Sequence, residues 1–270
     1  MKDDALDLTR APLLSHLLEL RSRLLLCFGL FALTFIGCYL VSEQIYNFLL
    51  QPLVQSFDDP NSRRMIFTGL HEAFMTQLKV ALFAAMLLTL PFALLQLWRF
   101  LAPALYQHER RYTLVLMLST PLLFLAGAAL AYYLVFPLAW EFFLSFETTA
   151  TEQRIAVQLE ARVSEYLHLV MRLVLAFGIS FQLPILLFLL AKTGIVTAQG
   201  LAESRRYAIV ATFAVAAIIT PPDLISQIAL GTPILLLYEL SIVLIRLEQR
   251  WQHARQLKLN QSHKIHQNEP

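Results

Sequence analysis

Six uncharged, strongly apolar stretches limit what this chain can fold into: residues 24–42, 80–98, 112–140, 173–191, 207–222 and 224–238. Runs of this length without an ionisable side chain belong in a hydrocarbon solvent, not in a water-exposed fold. Composition agrees. Of 270 residues 57% are hydrophobic and only 15% charged, against about 25% charged in a soluble domain. The runs are continuous and do not alternate, which argues against a β-barrel. Helices satisfy their own backbone in lipid. The expected fold class is therefore all-α: a polytopic membrane protein of six transmembrane helices. A first domain, 1–246, holds the spans. Residues 247–270 read as a polar, disordered tail. The first run is too long for the apolar core of a cleavable signal and lacks a small-residue cleavage site.

Six spans put both termini on one side, and basic residues say which. Segments 1–23, 96–111, 192–206 and 246–270 hold 15 Lys and Arg, whereas the intervening loops hold only Arg63, Arg64, Arg154 and Arg162. The first group is assigned to the cytoplasm, with both termini. Lys79 and Arg172 fall at or within span ends.

The loops differ in character. In the first outside loop Ile45, Phe48, Leu49 and Leu53 recur at helical spacing, so a short interfacial helix ending near Pro52 is expected. The second contains "IAVQLEARV", compatible with a strand or a helix. The third is a tight turn, "TPPDLISQ", in which Asp223 or Ser226 is placed to cap the next helix. The fifth span, 207–220, reaches roughly 21 Å at 1.5 Å per residue, short of a hydrocarbon core of roughly 30 Å. The last two spans are read as short. Such a hairpin must thin the bilayer, admit water or shelter against partners. Pro91, Pro121, Pro184 and Pro233 interrupt spans and favour kinks.

Catalytic and cofactor motifs are missing. There is no phosphate-binding G-x-x-x-x-G-K-[ST] loop and no G-x-S-x-G. "HEAFM" at 71–75 lacks the second histidine of a zinc-protease helix. His71, His108 and His168 are scattered and form no ligand set. Cys27 and Cys38, eleven residues apart in one span, cannot pair with each other and read as packing residues. The chain is read as a non-enzyme without metal or cofactor, and nothing suggests nucleic acid as a partner.

What remains is a carboxylate where a span begins. "HLLELRSRL" at 16–24 places Glu19 beside Arg21 and Arg23. Arginine anchors a span at the cytoplasmic boundary, but a glutamate has no such routine task. One account is a helix pair between Glu19 and Arg23 at i, i+4. A second acid, Glu109, stands in "FLAPALYQHERR" at 100–111, in a loop assigned to the same side. Beside Arg110 and Arg111 it also reads as a solvated interfacial charge.

These two motifs, with "QPL" at 51–53, "AFGISFQLP" at 176–184 and "TPPDLISQ" at 220–227, resemble the TatC family, the multi-span receptor subunits of the twin-arginine protein translocase. The resemblance covers about residues 12–246. It implies that the chain binds signal peptides bearing two consecutive arginines at the cytoplasmic face of the inner membrane. It implies further that the chain nucleates a complex exporting folded proteins, driven by the proton gradient, self-associates there, and has TatA-type and TatB-type single-span partners. A pair of guanidinium groups calls for carboxylates, which match its planar fork. The resemblance assigns Glu19, Glu109, Arg21 and Phe100 to signal binding. It gives Gln182, Pro52 and Asp223 a partner-contact or structural role. Where the family commonly has a glutamate in "SFQLP", this chain has Gln182, which can hydrogen-bond but carries no charge. The alternative, a small-molecule secondary transporter, predicts ionisable residues around a midplane cavity, and the span centres are nearly free of them. A purely structural anchor leaves the short hairpin unexplained.

Overall fold

The computed structural model describes residues 3–56, 65–67, 69, 71–105, 110–146, 161–220 and 224–267. Side chains are described for these except 3–16, 101–116, 161 and 252–267. The elements are α1 (Asp3–Leu40), α2 (Ser42–Ser56), β1 (Met65–Ile66), α3 (Glu72–Leu105) and α4 (Arg110–Leu130). A π-helical turn (Ala131–Val135) then leads into α5 (Phe136–Leu144), β2 (Ala161–Arg162), α6 (Val163–Ser180), α7 (Leu183–Lys192), α8 (Ala198–Glu203), α9 (Arg205–Ile219) and α10 (Leu224–Gln267). Five stretches are long and apolar enough to cross a membrane: Leu17–Leu40, Glu72–Phe100, Met117–Leu144, Val163–Lys192 and Leu224–Trp251. The sixth span is the 15-residue α9, whose brevity matches the short fifth run in the sequence. Its neighbour differs from the reading: α10 is 44 residues long. Helix continues past the last uncharged residue, Tyr238, and its backbone runs on to Gln267, through the tail whose polarity suggested no regular structure.

Backbone contacts divide the chain into two compact units, Met1–Ile179 and Ser180–Pro270. In the first, α1 lies against α3 through small residues. Cys38, Ala81, Ala84 and Ala85 are buried together, with Phe31, Phe35 and Ile45 packed around them. Small side chains let helix backbones approach closely where lipid supplies no hydrophobic drive. Thr34 and Thr89 join hydroxyls across the same contact at 3.0 Å.

α2 does not end near Pro52 but runs through it to Ser56. Proline at 52 has no N–H, so the carbonyl four residues back, on Phe48, loses its helical donor. The hydroxyl of Tyr132 donates to that carbonyl at 2.6 Å, and the Tyr132 and Phe48 rings stack at 4.6 Å. Tyr166 donates to the next carbonyl, Leu49, at 2.8 Å. Leu49 and Leu53 turn inward and are 4% and 1% exposed. Residues 155–160 of the ambiguous second loop lie outside the described residues. Its end, Ala161–Arg162, pairs in parallel with Met65–Ile66, and helix begins at Val163.

The third span holds a π-turn just ahead of Pro137, which occupies the first turn of α5. The fourth apolar run, continuous in sequence, is broken at Phe181 and Gln182, immediately before Pro184. Helix assignment continues through Pro91, Pro121 and Pro233.

In the second unit α10 packs against α7, α8 and α9. Ala198, Leu201, Tyr238, Ile242 and Ile245 form the buried centre, and the Tyr238 hydroxyl donates to the Leu201 carbonyl at 2.7 Å. α7 stops because Gly194 takes φ +78°, a left-handed value that glycine adopts without a Cβ penalty. α8 starts with the Thr197 hydroxyl accepting from the Gly200 N–H at 3.0 Å, a side-chain N-cap. A Cβ on Gly231 would stand 2.9 Å from the Phe213 ring, so the close approach of α9 to α10 depends on that glycine.

Candidate functional site at the start of the first span

Leu17, Leu18, Leu24, Leu25 and Leu26 are all at least half exposed, so α1 enters the apolar region with most of its surface uncovered. On this helix Glu19 and Arg23 sit one turn apart and therefore face the same way. Arg23 Nε and Nη2 both donate to Glu19 Oε1, at 3.0 and 2.6 Å. The third donor, Nη1, reaches across to Oε1 of Gln96 in α3 at 2.8 Å. The helix pair expected from the i, i+4 spacing is thus present, and it is also a bridge between the first two spans. Gln96 is buried; the side chains of Arg23 and Glu19 are 24% and 41% exposed.

Phe100 follows Gln96 by one turn of α3 and is half-buried. Arg21 points away and is exposed. Glu109 and Asp223 lie outside the described residues. Pro52 is buried in α2, beyond the far end of α1 from Glu19. Those two points are separated by about 30 Å of helix between Glu19 and Leu40 at 1.5 Å per residue. Gln182 belongs to the second unit, is 8% exposed, and immediately precedes α7, where its carbonyl accepts from Leu186 N–H at 3.0 Å. The structure therefore joins Glu19 to Gln96 through Arg23 and leaves Pro52 apart from them.

Gln96 is the member of this cluster that the sequence reading passed over. A lone amide in an apolar run was the available signal, since lipid offers it no hydrogen-bond partner. Among the described residues no group of His, Cys, Asp and Glu is placed to hold a metal ion. The chemistry available at this end of α1 is recognition of a planar cation by a carboxylate and an amide, and Arg23 already demonstrates it.

Comparison with known proteins gives one answer. The family model described as Sec-independent protein translocase protein (TatC) matches residues 15–233. The Sec-independent protein translocase protein TatC of Magnetococcus marinus is 48% identical over 86% of this chain and 83% of its own length. That of Escherichia coli K12 is 38% identical over 87% and 88%. A crystal structure of the twin-arginine translocase receptor TatC superposes with a TM-score of 0.74 at 36% identity, covering 85% of this chain and 99% of that one. These relatives carry protein translocase names, which leaves the small-molecule transporter reading without support.

Proposed function

Since the chain belongs to the TatC family, and is a multi-pass membrane component of the Sec-independent, twin-arginine translocase, we propose that it receives the paired arginines of cargo signal peptides through Glu19 and Glu109. The single observation that supports this is the Glu19–Arg23–Gln96 fork. A carboxylate at the entry of the first span, backed by a buried amide, already holds a guanidinium in a multidentate arrangement. Charge-assisted bonds of this kind are roughly twice as strong as neutral ones. An arriving arginine competes with Arg23 for Glu19, and Glu109 receives its neighbour. Phe100, one turn beyond Gln96, provides an aromatic wall, and Arg21 shapes the approach.

The excess of Lys and Arg in 1–23, 96–111, 192–206 and 246–270 puts this site and both termini at the cytoplasmic face of the inner membrane. Reporter fusions at Asp58 and Gly200 should lie on opposite sides, Gly200 with the termini; an inside report at Asp58 would overturn the orientation. The partners in this reading are TatA-type and TatB-type single-span proteins and further copies of the chain, which together export folded cargo at the expense of the proton gradient. Gln182 and Asp223 serve partner contacts or local structure, and Pro52 shapes α2.

The decisive experiment is site-specific photocrosslinking of a twin-arginine signal peptide to membranes holding Glu19→Lys or Glu109→Lys, at two salt concentrations. Losing one partner of a desolvated charge pair costs about 2–5 kcal/mol, or roughly 30- to 5,000-fold in affinity. A surface pair costs about 1 kcal/mol or less. Wild-type crosslinking yields from both lysine variants would remove the assigned role from these acids.

A further inference from the structure

The first unit gathers three basic side chains on one exposed surface, well separated along the helices from the Glu19 cluster. Lys79 in α3 and His168 in α6 bring Nζ and Nε2 to 2.9 Å. Arg172 lies one turn beyond His168, within electrostatic reach of its imidazole. All three are exposed. Lys79 is about 10 Å along α3 from Glu72, and His168 and Arg172 are about 7 and 13 Å along α6 from Val163. Both helices therefore carry their cations within the first turns of a membrane span.

The neighbours on each helix face are apolar. Met75, Leu82 and Met86 share the Lys79 face of α3 by spacing and are 38%, 48% and 37% exposed. On α6 the face of His168 and Arg172 continues to Leu175 and Ile179, the latter 56% exposed. An uncovered apolar stripe on a membrane span faces acyl chains. Cations at its rim sit where phospholipid phosphates are found, and long basic side chains reach out to that level. The nearest acids are otherwise engaged. Glu72 accepts from the Gly69 N–H at 3.1 Å, and Glu165 pairs with Arg162 at 3.0 Å. Among the described residues, none of the three cations is ion-paired to a carboxylate.

We propose that Lys79, His168 and Arg172 form a binding site for the phosphodiester of an anionic phospholipid, with its acyl chains lying along Leu82, Met86 and Ile179. The ammonium keeps donors to spare after its bond to His168, and the guanidinium offers a planar fork suited to phosphate oxygens. Charge supplies selectivity for an anionic headgroup, and the apolar stripe distinguishes a lipid from free phosphate.

Native mass spectrometry of the full chain tests this, in detergent with an equimolar mixture of dioleoyl phosphatidylglycerol and dioleoyl phosphatidylcholine. Each basic residue near the surface contributes about a five-fold preference for the anionic lipid. The wild type should retain phosphatidylglycerol preferentially. The Lys79→Met/Arg172→Met variant should lose that preference roughly 30-fold, and Lys79→Arg/Arg172→Lys should keep it. Arg172→Gln alone, the milder change should the double variant misfold, should lose about five-fold. Excess inorganic phosphate should leave the lipid bound. Equal retention of both lipids by the wild type, an undiminished preference in the methionine and glutamine variants, or displacement of the lipid by inorganic phosphate would each overturn the proposal.

Discussion

Two ion pairs in this molecule have the same shortest distance and different settings. Arg23 and Glu19 meet at 2.6 Å on a single helix, with side chains 24% and 41% exposed. Lys192 and Glu248 also meet at 2.6 Å, but they tie α7 to α10 and are only 16% and 15% exposed. The ring of Phe188 lies 5.7 Å from the same ammonium. Distance alone does not separate the two. Solvent access and the origin of the partner do. A pair on one turn of helix, half open to water, can exchange its cation for another without dismantling anything. A pair drawn from two helices and withdrawn from water holds those helices together, and neither member can be replaced cheaply.

That contrast is easiest to break at Glu248. Truncation to alanine strands a buried ammonium, so Glu248→Ala should cost about 3–5 kcal/mol in denaturant unfolding of the detergent-solubilised protein. Lys192→Met/Glu248→Met should recover most of it, because the charge is then removed along with its partner. A loss near that of an exposed pair would erase the distinction. Arg23→Gln sharpens the other half. It should cost about 1 kcal/mol, as befits a part-exposed pair with one added hydrogen bond, while signal-peptide crosslinking is kept or raised. Crosslinking reduced to the level of Glu19→Lys would make Arg23 a part of the pocket and not its resting occupant. The smallest effect is expected at Arg205, which forks onto Glu239 at 2.6 and 2.8 Å with both side chains nearly half exposed. Arg205→Gln should leave the unfolding midpoint unmoved at high salt, where surface charge is screened.

The span count and the short fifth helix were legible because they depend on composition summed over many residues. The acid at the head of the first span was legible because its surroundings are apolar. Partners supplied from distant parts of the chain were not. α2 passes Pro52 because Tyr132, 80 positions on, donates to the carbonyl that proline leaves bare. Arg23 gains Gln96 from the second span. The strand in the second loop exists only through pairing with Met65 and Ile66. The length of α10 was hidden for a different reason. Glu239 ends the uncharged run, but a charge that finds Arg205 need not end the helix.

The π-turn in the third span bears on how that segment tolerates change. Its buried positions come as doublets, Gly127 with Ala128, Ala131 with Tyr132, Val135 with Phe136, and Ala139 with Trp140. Each doublet begins four residues after the last. An unbroken α-helix turns about 100° per residue, so four-residue steps would advance the inward face by about 40° each time, and the doublets would wander toward lipid. The wider turn at Ala131–Val135 takes up that surplus and restores the phase. It behaves as one residue absorbed into the coil. Removing a single residue there would leave a helix of nearly the same length, but everything after it would be turned by about a quarter rotation. Trp140 would lose its stack on Tyr166, now at 4.9 Å, although neither ring had been altered. In this span, position along the chain is as much a packing determinant as side-chain identity, and a one-residue deletion would cost more than most substitutions.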